Sequence, residues 1–323
     1  MHRTVIAIDV GGTKISGGIV SDCGDIKFFR RESTNKEGGY RVVDQIICMI
    51  KSLLALVEGS KYIAGIGISV PAAVNNNVII MAPNIRGWEN LPIAELIKSR
   101  LGVDIPVIVI DDRVAVALGE CWLGVARGKK NVVVITIGTG LGAGIIINGQ
   151  PYFGSTGVAG AIGWWITDRE ELDRRTEKGF LEEKIAGPAI AQKAITVLKG
   201  EKQKTETLLL DLCRGNLDNI TSEMVFEAAQ KGDSFAKRII KEVAVSLGIA
   251  ISNIVSILNP EIIVITGSVG KALIDSSRII KGIVEKFSQP YAAKNVEIVF
   301  SELGHYAYLL GVAKYTLDIT LGK

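Results

Sequence analysis

Two stretches of the sequence, IDVGGTK at residues 8–14 and ITIGTG at residues 135–140, share one pattern, in which a short apolar strand runs into a tight glycine-rich turn. When the first stretch is aligned on the second, Gly11 falls on Gly138 and Gly17 falls on Gly144. Such a turn exposes several backbone N–H groups in one concavity, and an anion can approach them closely because glycine has no Cβ atom. The sequence therefore predicts a duplicated fold that holds the phosphates of one nucleotide from both sides.

The bulk properties narrow the class of protein. The 323 residues are enough for two domains, since single cores stop growing at roughly 250–300 residues. A formal net charge of +3 does not indicate nucleic acid or an anionic membrane as a partner, and no uninterrupted apolar run is long enough to predict a membrane span. The four cysteines are scattered without a C-x-x-C pair, which predicts no zinc site and favours the reducing cytoplasm. The chain enters a strand at once, leaving no room for a signal peptide, so we expect a cytoplasmic protein.

The order of apolar segments predicts an α/β fold in which the second half repeats the first. We expect strands at 5–9, 15–20, 26–31, 63–70, 107–110, 132–137, 142–147, 150–153, 262–266 and 296–300. We expect helices at 40–58, 114–123, 184–199, 222–230, 235–258, 270–287 and 306–316. This order is typical of two mixed sheets with helices packed on them.

Asp9 ends the first strand, directly before the turn. A carboxylate at that point can hold Mg²⁺, directly or through water, beside phosphates bound by the turn, and Thr13 and Lys14 could add a hydroxyl and a charge. The alternative is an aspartate that only caps its own turn. On Asp9 alone the two interpretations are even, and the second turn favours the functional one.

Asp111 and Asp112 follow the strand at 107–110 and precede a helix, a place where reactive groups of open α/β sheets lie. Asp112 could act as the general base that takes the proton of a substrate hydroxyl as it attacks a γ-phosphate. Alternatively the acids cap the helix, although one acid suffices for a cap.

Two other nucleotide motifs do not match the sequence. There is no Walker-type Gly-x-x-x-x-Gly-Lys-Ser/Thr, and the string GTGLGA at 138–143 continues as a strand, where a Rossmann fingerprint would open a helix.

Together these motifs resemble the ROK family of sugar kinases, in the actin–hexokinase superfamily, and the resemblance runs nearly from end to end. Besides the two turns, it covers the loop at 82–92, the segment at 111–120, the segment at 259–268 and the helix at 310–313. It implies two ribonuclease-H-like lobes of the actin-like ATPase fold around a cleft, which we expect at 1–112 plus 305–323 and at 113–304. It further implies ATP and Mg²⁺, transfer of phosphate to a hydroxyl of a sugar, amino sugar or related polyol, and assembly as a dimer or tetramer.

The resemblance also implies a role for individual residues. The ATP phosphates would be bound by Gly11, Gly12, Thr13, Lys14, Gly138, Thr139, Gly140, Gly267 and Ser268. The sugar would be bound by Asn84, Asp111, Asp112, Glu182 and Trp164. Asp112 would be the catalytic base, and Asp9 would hold Mg²⁺ through water.

Three departures from the family pattern lie on the acceptor side. Asp111 stands where the family has Asn, the stretch GAIGW at 160–164 stands where the family has Gly-Glu-Ile-Gly-His, and residues 165–178 replace a cysteine-rich zinc loop. Trp164 then forms an apolar wall of the sugar site, or the pair Trp164-Trp165 is split by alternation between core and surface. The altered pocket also leaves a second function open, a sugar or nucleotide sensor without efficient catalysis. A DNA-binding repressor is disfavoured because no residues precede the first strand for a helix-turn-helix.

Overall fold

The computed structural model describes residues 3–57, 62–173, 175–200 and 206–322 of the chain. The chain divides into two compact units, the first formed by Met1–Val134, Gly144–Gly160 and Glu302–Lys323, the second by Ile135–Ala143 and Ala161–Ser301. The functional lobes expected from the sequence stay a prediction, because compactness and movement about a ligand are different properties.

The secondary structure follows the predicted order closely. The strands are β1 (Thr4–Val10), β2 (Lys14–Ser21), β3 (Ile26–Ser33), β4 (Ile63–Val70), β5 (Ala73–Asn75), β6 (Val78–Met81), β7 (Glu89–Leu91), β8 (Val107–Asp111), β9 (Val132–Ile137), β10 (Leu141–Ile147), β11 (Gln150–Pro151), β12 (Ile262–Thr266) and β13 (Glu297–Phe300). The helices are α1 (Gly39–Leu54), α2 (Ile93–Leu101), α3 (Asp112–Leu123), α4 (Glu182–Ile185), α5 (Gly187–Gly200), α6 (Leu209–Leu212), α7 (Ser222–Gln230), α8 (Ser234–Leu258), α9 (Ser268–Ala272), α10 (Ser277–Phe287), α11 (Pro290–Asn295) and α12 (Tyr306–Leu321).

The two large sheets have the same strand order. One sheet runs β3-β2-β1-β4-β8 and the other β11-β10-β9-β12-β13. In each sheet the strand that precedes the glycine turn, β1 or β9, lies in the centre. The next two strands of the chain lie on one side of it, and two later strands lie on the other. In the first sheet β1, β4 and β8 are parallel, and in the second β12 and β13 are parallel. This repeat confirms the duplication and the α/β fold class that the twin turns predicted.

The aligned glycines Gly17 and Gly144 have the same packing role. A Cβ atom on Gly17 would lie 2.6 Å from the Sδ of Met49 in α1, and one on Gly144 would overlap the carbonyl oxygen of Arg113 in α3. Each glycine therefore lets a helix pack directly on its strand, in the same register of the repeat.

Helices α3 and α12 cross with almost no space between their backbones. A Cβ atom on Gly119 would overlap the carbonyl of Ala307, and one on Gly311 would overlap the carbonyl of Ala115. Gly119 and Gly311 are both buried. The crossing holds α3, whose first residue is Asp112, directly against α12.

Two predicted helices are interrupted. The helix expected at 184–199 is divided into α4 and α5 at Ala186, because the backbone N–H of Gly187 bonds to the carbonyl of Gly138, 2.8 Å away. The helix expected at 270–287 is divided into α9 and α10 by a 3₁₀ turn at Leu273–Ser276. The small sheet β5-β6-β7 and helix α2 were not predicted, since strands of three or four residues carry too little alternation to be recognised.

By length and composition alone, helix α8 could cross a membrane. In its most apolar window of 18 residues, 61% of the residues are buried inside the protein, and α8 packs against α7 and α10. Buried core helices pass the same test. Gly248 and Asn253 interrupt the apolar run of α8. The expectation that the chain has no membrane span was drawn from uninterrupted apolar runs, and it does not cover an interrupted helix such as α8.

Strand β3 is an edge of the first sheet, and its residues from Lys27 to Ser33 are all exposed. Phe28 has a left-handed backbone with φ of 55°, and the pairing with β2 shifts its register between Gly17 and Ile19. This edge is therefore bulged as well as rich in charge.

Candidate active site

Three neighbouring parallel strands of the first unit end in polar side chains. In the sheet register Asp9 of β1 stands beside Ser69 of β4, and Val70 of β4 stands beside Asp111 of β8. Because carboxyl ends of parallel strands meet at one edge, Asp9, Ser69 and Asp111 lie in a row. The row leads directly into Asp112, the first residue of α3.

The first glycine turn is closed by its own backbone. The N–H of Gly11 donates to the carbonyl of Lys14 at 2.8 Å, and the hydroxyl of Thr34 donates to the carbonyl of Gly11 at 2.7 Å. A Cβ atom on Gly12 would lie 3.2 Å from the carbonyl oxygen of Asn84. The structure thus brings the predicted phosphate turn against the predicted sugar-binding loop.

The loop that carries Asn84 is anchored by Trp88. Trp88 is fully buried, and its Nε1–H donates to the carbonyl of Gly39 at 3.0 Å, while the N–H of Gly39 donates to the carbonyl of Arg86 at 2.7 Å. Asn84 itself is exposed. The anchor fixes the loop on the start of α1 and leaves the amide of Asn84 open to a ligand.

Asp9 is held by one hydrogen bond. The hydroxyl of Ser69 donates to its Oδ1 at 2.7 Å. Burial raises the pKa of Asp9 from 3.8 to about 6, although the Ser69 hydrogen bond and the positive charge of Arg31 both oppose the shift. A carboxylate that is costly to ionise in a ligand-free site is suited to a cation, whose charge removes that cost.

We expect Asp9→Asn to stabilise the protein in metal-free, nucleotide-free buffer at pH 8. Since the folded-state pKa lies above the unfolded-state value, the folded state binds more protons between pH 4 and 6, and stability falls as pH rises through that window. The substitution removes this cost, so the free energy of unfolding at pH 8 should rise by about 3 kcal/mol. Urea unfolding at pH 8 and pH 5 measures it. A gain that is equally large at pH 5 would contradict the explanation.

Asp111 is the N-cap of α3. Its carboxylate accepts a hydrogen bond from the backbone N–H of Arg113 at 2.7 Å. It also forms a bidentate ion pair with the guanidinium of Arg113, through Nε at 2.9 Å and through Nη2. Asp111 is almost fully buried. The capping role left open by the sequence is therefore confirmed for Asp111, and its predicted contact with sugar stays a prediction.

Asp112 does not serve as the N-cap of α3, and its surroundings perturb the pKa of its carboxyl group. Burial first, and then the negative charges of Asp111 and Asp9, raise the pKa of Asp112 well above its usual range, while the charge of Arg113 acts in the opposite direction. A carboxylate with a raised pKa is a stronger base than a solvated aspartate. The arrangement can take a proton from a neighbouring hydroxyl.

The second glycine turn brings together the other predicted phosphate residues. The N–H of Gly138 donates to the carbonyl of Gly140 at 3.0 Å, and a Cβ atom on Gly138 would lie 3.7 Å from the Oγ of Ser268. Gly267 has a φ of 89°, and a Cβ atom there would overlap the carbonyl of Ile137. Ser268 begins α9, so the start of this helix lies close to the turn.

Glu182 lies against the same turn. Its Oε2 accepts from the backbone N–H of Leu141 at 2.8 Å, and burial raises its pKa despite that hydrogen bond. The structure therefore connects the one predicted sugar-contacting acid of this unit to the phosphate turn.

Thr167, Asp168 and Glu171, which lie in the segment that replaces the zinc loop, belong to a polar cluster that the sequence analysis missed. Glu171 is nearly buried, accepts from the N–H groups of Thr167 and Asp168, and pairs with the Nζ of Lys184 at 2.8 Å. Lys184 also donates to the hydroxyl of Thr167 at 2.8 Å. Since Lys184 and Glu182 share α4, the cluster anchors the helix that carries Glu182.

Trp164 is 53% exposed and Trp165 is half-buried, so neither ring is in the core. The predicted contact of Trp164 with sugar stays a prediction. Ser69 and Arg113 were missed as well. The alignment of strand ends could have indicated Ser69, whereas the side-chain direction of Arg113 has no sequence signal.

The chain is similar to known proteins along nearly its whole length. The model of the ROK family matches residues 5–318. The glucokinase of Halalkalibacterium halodurans is 33% identical over 315 residues, which cover 96% of this chain and 93% of that protein. The xylose repressor of Caldicellulosiruptor bescii is 28% identical over 318 residues, which cover 95% of this chain and 76% of the repressor. The crystal structure of a ROK family glucokinase from Streptomyces griseus in complex with glucose and AMPPNP matches with a TM-score of 0.79 at 27% identity, covering 97% of this chain and 98% of that one. This likeness confirms the predicted actin-like ATPase fold.

Proposed function

This chain belongs to the ROK family, and on that premise we propose that it is an ATP-dependent kinase that phosphorylates a hydroxyl of a sugar or amino sugar, with Asp112 as the general base. Relatives named glucokinase make a hexose the first acceptor to test.

One observation carries the proposal. Asp112, with a raised pKa, follows the row of Asp9, Ser69 and Asp111 in the unit that also holds the first glycine turn and the exposed Asn84. A base, a candidate cation ligand, a phosphate-binding turn and a hydroxyl-binding amide are the parts that phosphoryl transfer to an alcohol needs.

In the proposed reaction the Asp112 carboxylate takes the proton of the acceptor hydroxyl as its oxygen attacks the γ-phosphorus. The bond from that phosphorus to the β–γ bridging oxygen breaks, and ADP leaves with the electron pair. Backbone N–H groups of Gly12 and Thr13 in the turn closed by Gly11, and of Thr139 and Gly140 in the turn closed by Gly138, would bind the phosphates. Lys14 would add its charge, with Gly267 and Ser268 beside the second turn. Positioning and charge neutralisation supply most of the acceleration in such reactions.

The donor set agrees with magnesium. Among the described residues no three His, Cys, Asp or Glu side chains form a metal cage, and Mg²⁺ needs none, because it keeps several waters and takes one or two carboxylates together with substrate phosphates. Asp9 would hold it, directly or through water, with Ser69 fixing the orientation of the carboxylate. When bound, the ion would neutralise charge on the β- and γ-phosphates.

The test is acceptor-dependent release of ADP. Purified protein with ATP and Mg²⁺ should release ADP in the presence of at least one member of a panel of glucose, mannose, glucosamine, N-acetylglucosamine, N-acetylmannosamine and related polyols. The same reactions without acceptor are the control. If no member raises ADP release above that control, the kinase proposal is wrong.

A second candidate is a sensor that binds sugar or nucleotide without efficient turnover. The similarity to a xylose repressor and the stretch GAIGW at 160–164, which has no polar side chain, favour it. Binding of glucose or ATP with no ADP release across the panel would support the sensor.

A further inference from the structure

Arg113 engages both oxygens of the Asp111 carboxylate. Its Oδ1 accepts from both the backbone N–H and the Nε of Arg113, and its Oδ2 accepts from Nε and Nη2 of the same residue. The side chain is also 3% exposed, so very little of it is open to a sugar hydroxyl. Asp111 is therefore occupied by Arg113.

Arg113 keeps donors that Asp111 does not use. A guanidinium carries five N–H groups, and the pair with Asp111 engages Nε and Nη2. Within the described part of the chain, Nη1 has no protein acceptor, and 18% of the side chain is exposed. The planar fork is held rigidly by the ion pair, so little entropy is lost when Nη1 binds an oxygen.

The position of these donors is set by α3. Arg113 directly follows Asp112 in the first turn of the helix, and its charge is close enough to lower the proton affinity of Asp112. Arg113 and Asp112 are therefore near enough for one acceptor molecule to reach both.

We propose that Arg113 contacts the acceptor, by donating from Nη1 to an oxygen next to the hydroxyl that is phosphorylated, and that Asp111 serves to aim it. This proposal rests on the proposed function in one respect, namely that the acceptor hydroxyl lies next to Asp112. A donor fork selects acceptors with a hydroxyl, carbonyl or carboxylate oxygen at that place, and it discriminates against deoxy analogues, because partly buried guanidinium N–H groups would be left unpaired.

The competing explanation is that Arg113 only neutralises the buried charge of Asp111. The two roles separate in a double variant. Asp111→Ser with Arg113→Met removes both charges, keeps a residue that can cap α3, and retains most of the arginine stem volume. Arg113→Met alone leaves Asp111 buried and unpaired, so it should also destabilise the protein.

The experiment measures glucose binding by calorimetry without nucleotide, KM values for glucose and ATP, and thermal stability. In Arg113→Met and in the double variant we expect the Kd and KM for glucose to rise about 10- to 100-fold, because each variant loses one hydrogen bond to a charged group. The KM for ATP should change less than twofold. The double variant should recover the melting temperature that the single variant loses. Arg41→Met, at an exposed arginine of α1, is the matched control and should bind glucose normally.

Recovery of glucose affinity to within twofold of wild type in the double variant would overturn the proposal, as would unchanged affinity in both variants. If wild type binds glucose without turning it over, the kinase proposal fails while the Arg113 contact is still decided by Kd. If glucose does not bind, the best-bound sugar of the acceptor panel replaces it. Absence of binding by every sugar overturns this proposal too.

Discussion

Asp112→Asn is expected to lower kcat by about 10²- to 10⁴-fold, the usual contribution of a general base, while affinity for ATP stays within twofold of wild type. Asparagine has the same shape but cannot take the proton of the acceptor hydroxyl. Because the pKa of Asp112 is raised, wild-type activity should also decline on the acid side at a higher pH than an ordinary aspartate would give. This decline at low pH reflects protonation of the base. The residual activity of the variant should therefore show no such decline.

The measurement is acceptor-dependent ADP release across pH, with binding of a non-hydrolysable ATP analogue as the second readout. Asp104→Asn, at a fully exposed acid of the same unit, is the matched control and should retain wild-type turnover. If Asp112→Asn keeps a tenth or more of wild-type kcat, Asp112 is not the base.

Gly311→Ala is expected to be the most destabilising conservative change in the first unit. Its Cβ atom would overlap the carbonyl oxygen of Ala115, and a backbone atom cannot rotate away, so α12 and α3 must separate. Overpacking of this kind costs about 3 kcal/mol. For a unit of this size the melting temperature should fall by roughly 6–12 °C.

Thermal unfolding followed by circular dichroism measures the loss. Gly282→Ala is the matched control, since Gly282 lies in the exposed face of α10 with no atom within 4 Å of its Cβ position. There alanine should stabilise by about 0.5–1 kcal/mol through helix propensity. If both substitutions change the melting temperature alike, the close crossing of α3 and α12 is not what holds them together.

The fold was predictable because it rests on local periodicity and on one repeat. Strands at 63–70, 132–137 and 262–266 agree residue for residue with β4, β9 and β12, which are almost wholly buried and therefore have mostly apolar sequences. The break at Ala186 was not predictable, because it depends on a hydrogen bond from Gly187 to a glycine about 50 residues earlier in the chain, Gly138. Local pattern contains no information about such partners.

The candidate site was predictable where polar residues follow strand ends. Asp9, Asp111 and Asp112 were proposed on this ground, and the structure places them at neighbouring strand ends, while their roles stay predictions. What escaped was the direction of side chains: Arg113 turns back on Asp111, and Lys184 reaches Glu171, through rotamers that sequence spacing does not determine. The departures from the family pattern thus became interpretable only when their new partners were visible.

The edge strand β3 bears on how the chain avoids aggregation before folding is complete. An edge strand presents unpaired backbone groups that can recruit the strand of another molecule, which is how β-sheet proteins aggregate. The left-handed kink at Phe28 and the neighbouring charges of Arg30, Arg31 and Glu32 make this edge a poor template. The edge is therefore protected against pairing with another copy by residues of its own, and one of them, Arg31, also acts on the pKa of Asp9 in the candidate site.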